Sequence, residues 1–219
     1  MLRFPCLILD HDDTVVQSEA TVNYPFFVEF LKEYRPGMTI TQQEYISGCF
    51  DPGYIPMCRQ RFHFTDEELD IEYRAWKEHI KTTIPAPYPG IGSILRRFQE
   101  EGGVIVVSSQ SAQENIARDY RVHFGIEPNA IFGWDLDPEH RKPSPYAIHQ
   151  AMARYGFTAS QLLVVDDMRP AVEMARAGGV AIAFAGWGRK EFPEICGQME
   201  QLCDYSFYSA EDLEKFLFD

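Results

Sequence analysis

The sequence predicts an α/β protein, a Rossmann-like parallel sheet in a three-layer α/β/α core, with a small α-helical domain inserted in it. Three observations predict this. Short apolar runs recur at "FPCLIL" (4–9), "VIVV" (104–107), "LLVV" (162–165) and "VAIAF" (180–184), as expected of strands buried on both faces. Helix signals separate the later runs, and strand–helix alternation argues a parallel sheet. Residues 18–87 break the rhythm and hold no strand-like run. At 219 residues the chain exceeds one minimal core and suits a large domain carrying an insert.

Each helix has local cues. Pro89 and Gly90 open "GIGSILRRFQEEGG", in which Ile91, Ile94, Leu95 and Phe98 share a face and Gly102–Gly103 close the element. "SAQE" at 111–114 reads as a capping box, and Pro143 suits the first turn of a helix ending near Tyr155 and Gly156. A further helix is expected from about Pro170 to Ala177, stopping at Gly178–Gly179, and "SAEDLEKFLF" reads as a terminal amphipathic helix. The insert contains "NYPFFVEFLKEY", a Gly/Pro-rich "SGCFDPGYIP", and "TDEELDIEYRAWKEHI" with a capping box of Thr65 and Glu68. The expected domains are 1–17 with 88–219, and 18–87, with "IPAPYPG" as hinge or linker.

Composition narrows the partners. Thirty-three acidic against 20 basic residues give a net charge of −13, which repels nucleic-acid phosphates and anionic membranes. A small phosphorylated metabolite remains compatible, because local cations outweigh distant charge. Five scattered cysteines, none in a Cys-x-x-Cys pattern, point to reduced thiols and a cytoplasmic location. The sequence reaches Asp10 after a few apolar residues, so neither a signal-peptide core nor a membrane span is expected there. A monomer or weak homodimer is expected.

Ligands of open parallel sheets bind at the carboxyl ends of strands. The residues that follow the apolar runs are Asp10-x-Asp12-Asp13-Thr14, Ser108-Ser109 and Asp166-Asp167, with Lys142 between the last two. Three aspartates within four positions accumulate repulsion that calls for a cation. Asp13 suits a left-handed turn position. Ser108 is left for a ligand because Ser111 and Glu114 are expected to cap the next helix. Lys142 just before a helix opposes the macrodipole, where a purely structural choice would be an acid. Asp166 closes an apolar run, where an unpaired charge is costly.

This assembly resembles the haloacid dehalogenase superfamily, in the helical-cap group that includes phosphoglycolate phosphatases and β-phosphoglucomutase. Asp10, Asp12 and Thr14 match its Asp-x-Asp-x-Thr motif, Ser108 its strand-closing Ser or Thr, Lys142-Pro143 its lysine, and Asp166-Asp167 its acidic cluster. The resemblance implies a Mg²⁺-dependent phosphatase of a small phosphate monoester. Asp10 would attack phosphorus to give an aspartyl phosphate, and Asp12 would protonate the leaving group and later activate water. Ser108, Ser109 and Lys142 would bind phosphate, and Asp10, Asp12, Asp166 and Asp167 would hold the metal. The helical insert would close over the site as a cap, with Tyr54, Arg59, Arg61 and His63 as candidate substrate contacts, and Cys49 and Cys58 as small buried residues. A phosphomutase uses the same motifs, and a receiver-like phosphate-binding module is the non-enzymatic alternative.

Overall fold

Strand β1 (Cys6–Leu9) enters the core fully buried, and the chain then leaves the sheet for a helical excursion. The computed structural model describes residues 2–219. The excursion contains α1 (Tyr24–Tyr34), α2 (Gln42–Gly48), α3 (Tyr54–Phe62) and α4 (Asp66–His79). The sheet resumes through α5 (Ile91–Glu100), β2 (Val104–Ser108), α6 (Gln113–Phe124) and β3 (Ala130–Phe132). After these come α7 (Tyr146–Tyr155), β4 (Leu162–Asp166), α8 (Arg169–Gly178) and β5 (Ala181–Ala185). The chain closes with α9 (Pro193–Leu202), β6 (Tyr205–Phe207) and α10 (Ala210–Phe218).

Two compact units result, residues 1–17 with 87–219 and residues 18–86. In the first, six parallel strands stand in the order β3-β2-β1-β4-β5-β6. Leu9 lies opposite both Val107 and Val165, so the carboxyl ends of β1, β2 and β4 come level. Leu7, Leu9, Ile105, Val107, Leu163 and Val165 face one layer with Ile94, Phe98, Ile116 and Leu213 of α5, α6 and α10. Buried Ile148, Ala151, Val172 and Ala175 of α7 and α8 accompany the alternate strand residues, including Ile8, Val106 and Val164. Burying both faces explains why these strands read as unbroken apolar runs.

The structure departs from the sequence expectations in several places. Edge strands β3 and β6 and helix α9 were not anticipated, because "AIF" and "YSF" are too short to show a pattern. Helix α6 starts at Gln113, and its Gln113 N–H donates to the Asp135 carboxylate at 2.7 Å, so Ser111 and Glu114 form no capping box. Helix α7 starts at Tyr146, three residues after Pro143, so Lys142 does not face its first turn and the macrodipole argument lapses. Cys58 is buried, whereas Cys49 is only half-buried; none of the five cysteines forms a disulfide. Among the described residues no helix is long and apolar enough to cross a membrane.

In the helical unit, both capping boxes close: Glu68 N–H donates to Thr65 Oγ1 at 3.2 Å and Thr65 N–H to Glu68 Oε2 at 2.9 Å, and Thr41 with Glu44 does the same on α2. Arg35 grips Glu68 with two bonds of 2.7 and 2.8 Å. Phe27 and Phe62, edge to face at 5.4 Å between centroids, belong to an aromatic core with Phe30, Tyr45 and Phe64. Glu72 of α4 is buried in this unit, and the Tyr54 hydroxyl donates to it. Burial pushes its carboxyl up to about 7, against the pull of that hydrogen bond.

Candidate active site

The strand order reverses at β1, because β2 and β3 are laid down on one side of it and β4 to β6 on the other. The crevice at the carboxyl ends of β1 and β4 is where such sheets place a ligand. Asp10 stands there, its N–H donating to the Val165 carbonyl at 3.0 Å. The chain then turns tightly: the His11 carbonyl accepts from the N–H groups of Val15 and Val16, at 2.9 and 3.1 Å. Asp13 takes the left-handed conformation at φ 51°, as its expected role as a turn residue requires.

Residues far along the chain hold this turn from outside. Tyr88 donates to the Asp13 carboxylate at 3.1 Å, and the Trp187 indole to the Thr14 carbonyl at 3.0 Å. Gly188 packs so closely that a Cβ there would lie 2.4 Å from the Asp13 carbonyl oxygen. No other residue fits without moving the turn.

Lys142 Nζ donates to Asp10 at 2.8 Å and to Asp166 at 2.7 Å, its side chain only 5% exposed. Burial works against the lysine's charge, but the two carboxylates outweigh it and hold its pKa above the ordinary value. Asp167 is paired with Arg189, both side chains buried, and lies within reach of the Thr14 hydroxyl at 3.4 Å. Burial pushes Asp166 up to about 7 against the pull of Lys142, and raises Asp167 well above the carboxylate range despite Arg189. A bound cation would reverse both directions.

The carboxylate oxygens of Asp10, Asp166 and Asp167 lie within 4.8 Å of one another, all three residues buried. Lys142 and Arg189 supply two positive charges beside four buried carboxylates, those of Asp10, Asp166 and Asp167 and, close to Asp167, that of Asp13. A buried excess of negative charge with oxygen-only donors fits a hard divalent cation such as Mg²⁺.

The remaining expected residues fall into place differently. Asp12 does not bring its carboxylate to that group; it accepts instead from Ser111 at 2.6 Å and Ser109 at 3.3 Å. Both bonds end on Asp12 Oδ2, so Asp12 stands apart from the group of three carboxylates, which Asp10, Asp166 and Asp167 make up. Ser108 directs its hydroxyl to the Met174 sulfur at 3.7 Å. Arg59 pairs with Asp66 at 2.6 Å, Arg61 with Glu44 at 3.0 Å, and His63 ends α3 in a left-handed conformation. Ser111 and Arg189 were missed. In the sequence Ser111 reads as a cap, and Arg189 follows an apolar run by only a few residues, a position that the other strand ends flag.

A family model of haloacid dehalogenase-like hydrolases matches residues 7–185. A phosphoglycolate phosphatase from Pseudomonas syringae pv. tomato is 32% identical over 121 residues, 55% of this chain and 43% of that protein. The chain thus spans less than half the length of that curated relative. A haloacid dehalogenase-like protein from Agrobacterium tumefaciens superposes with a TM-score of 0.78 at 16% identity, over 97% of both chains. CbbY from Rhodobacter sphaeroides, crystallised with phosphate, gives 0.62 at 17% identity, over 97% of this chain and 96% of that one. At such identities the structures speak for the fold, while the family model covers most of the chain together with every motif at the strand ends: this chain belongs to the haloacid dehalogenase-like hydrolases.

Proposed function

We propose that this protein is a Mg²⁺-dependent phosphatase acting on a small phosphate monoester. The observation that carries the reading is Lys142 bridging Asp10 and Asp166 at 2.8 and 2.7 Å, with Asp12 two residues beyond Asp10 and held apart by two serines. One carboxylate thereby sits against a buried cation, and a second is oriented separately. This is the division that nucleophile and proton carrier need.

In the first step an Asp10 carboxylate oxygen forms a bond to phosphorus as the bond from phosphorus to the ester oxygen breaks. Asp12, protonated, gives its proton to that departing oxygen. In the second step Asp12 takes a proton from water as the water oxygen bonds phosphorus and the acyl phosphate bond breaks, which releases phosphate and restores Asp10. Lys142 stabilises charge on Asp10 and on the phosphoryl oxygens. Ser108 now spends its hydroxyl on a thioether, a weak acceptor, and can re-aim it at a phosphoryl oxygen. The Ser109 hydroxyl orients Asp12. Mg²⁺ held by Asp10, Asp166 and Asp167 would supply the charge that lets a carboxylate approach an anionic phosphoryl group. The helical insert, as a cap domain, is proposed to choose the leaving group.

The test is phosphate release over a panel of small phosphate monoesters, phosphoglycolate among them, with and without Mg²⁺. Metal-dependent release that disappears in Asp10→Asn supports the reading. Release that persists in Asp10→Asn overturns it, and conversion of a sugar phosphate to its isomer without free phosphate would replace it with a mutase.

A further inference from the structure

The residue between the two catalytic aspartates is tied down in its own right. His11 is 1% exposed, and its Nε2 donates to the Asp119 carboxylate on α6 at 3.1 Å, a bond between residues 108 positions apart. Nδ1 has no partner among the described residues, so this bond alone fixes the ring's polar edge. Tyr120 lies beside the ring, 6.0 Å between centroids and 29° between planes. Asp119 is itself held from outside, its other oxygen accepting from Arg118 at 2.7 Å. The His11 carbonyl accepts the two bonds that close the turn.

Asp12, on the far side of the peptide, is held by Ser109 and Ser111. Those serines and Asp119 belong to one continuous segment, the β2–α6 loop and α6. That segment therefore grips the motif at two successive residues, while Lys142 holds the preceding Asp10. A tightly packed apolar residue would fill the place of His11 without cost in burial. A buried imidazole bonded to a buried carboxylate is a directional tether, which packing is not.

We propose that His11 and Asp119 are positioning residues, a tether from α6 that sets the angle between the Asp10 and Asp12 carboxylates. The proposal rests on the phosphatase reading. It deepens that reading by adding two residues that touch neither substrate nor metal. Misplacing a reacting group by about 1 Å costs on the order of 100-fold in rate. Loss of the tether should fall on kcat, since the groups that bind phosphate and metal are untouched.

The experiment uses p-nitrophenyl phosphate with Mg²⁺ and five variants beside the wild type: Asp10→Asn, His11→Phe, His11→Gln, Asp119→Leu and the double His11→Phe/Asp119→Leu. Phe keeps a ring against Tyr120 and removes the donor, whereas Gln keeps an N–H donor without the ring. The expected result is a drop in kcat of about 100-fold in His11→Phe and in Asp119→Leu, KM changing less than about 2-fold, and no further loss in the double variant. His11→Gln should recover most of the rate. Wild-type kcat in His11→Phe, equal loss in Phe and Gln variants, or multiplicative losses in the double variant would overturn the tether and leave the phosphatase reading intact, provided that Asp10→Asn is dead. Equal release by wild type and Asp10→Asn would overturn both. Thermal melts accompany each variant, and a variant that melts early yet keeps its kcat counts against the proposal.

Discussion

Both units of the chain bury carboxylates, and they compensate them by different means. At the sheet, Asp10, Asp166 and Asp167 sit against Lys142 and Arg189, two buried cations. In the helical unit Glu72 has the Tyr54 hydroxyl as its hydrogen-bond donor. A phenol donates a hydrogen bond but cancels no charge, whereas Lys142 and Arg189 oppose the upward push that burial gives Asp166 and Asp167, as it gives Glu72. The two groups therefore differ in what stands beside the carboxylates: cations at the sheet, which the proposed chemistry uses, and a neutral donor in the helical unit, which leaves only a pH-dependent contribution to folding.

The widest gap between the two should appear on removing one oxygen. Asp10→Asn is expected to lower phosphate release by more than about 10⁴-fold while the melting curve stays cooperative, whereas Glu72→Gln should leave turnover on the same ester within a few-fold. Measuring both on one substrate breaks the comparison if the second variant is as dead as the first. Next in size is Lys142→Met, which strands Asp10 and Asp166 without their shared cation. Breaking a buried pair costs about 3–5 kcal/mol, so chemical denaturation should find the variant destabilised by that amount. A change under about 1 kcal/mol would mean that solvent reaches those carboxylates after all.

The helical unit makes the smaller, pH-dependent prediction. Glu72 is raised in the folded state from 4.5 to about 7, so the folded protein holds this proton more tightly than the unfolded chain does. Its contribution is fully present below about pH 4.5 and is lost as pH rises through about 7. The loss amounts to about 3 kcal/mol. Denaturation of wild type and Glu72→Gln across that range isolates it: the difference between them should widen with pH in favour of the variant, and parallel curves would refute it. The smallest effect is Thr65→Ala, which removes one half of the α4 capping box and should cost about 1 kcal/mol, read as a shift in the denaturation midpoint with no change in kcat.

How far the sequence could be read follows from where its signals are local. Four strands are legible because each is a run of apolar residues buried on both faces, and Asp10 and Asp166 because an unpaired charge closing such a run is costly; Lys142 is legible through the lysine motif of the resemblance, since α7 starts too late for the macrodipole reason. Thr65 with Glu68 is legible as a cap because both partners sit within one turn. "SAQE" at 111–114 has the same pattern and failed, since Asp135, 22 positions from Gln113, took over the cap and released Ser111 to bond Asp12. Asp119 carries no local mark, and Arg189 only its place a few residues after an apolar run. Each matters through a partner 22 or 108 residues away, Asp167 and His11 respectively, and only the assembled sheet supplies that proximity.

The central place of β1 has a consequence for how the chain comes into being. Its aspartates are synthesised well before the cations that face the cluster: Lys142 follows Asp10 by 132 residues, and Arg189 comes later still. Until then the cluster of three acids has nothing to answer it, and β1 lacks its neighbour β4. During synthesis, the surroundings of Asp10, Asp166 and Asp167 are completed only when Arg189 has left the ribosome. A nascent chain cut short before residue 189 would carry the motif without Arg189 to balance Asp167.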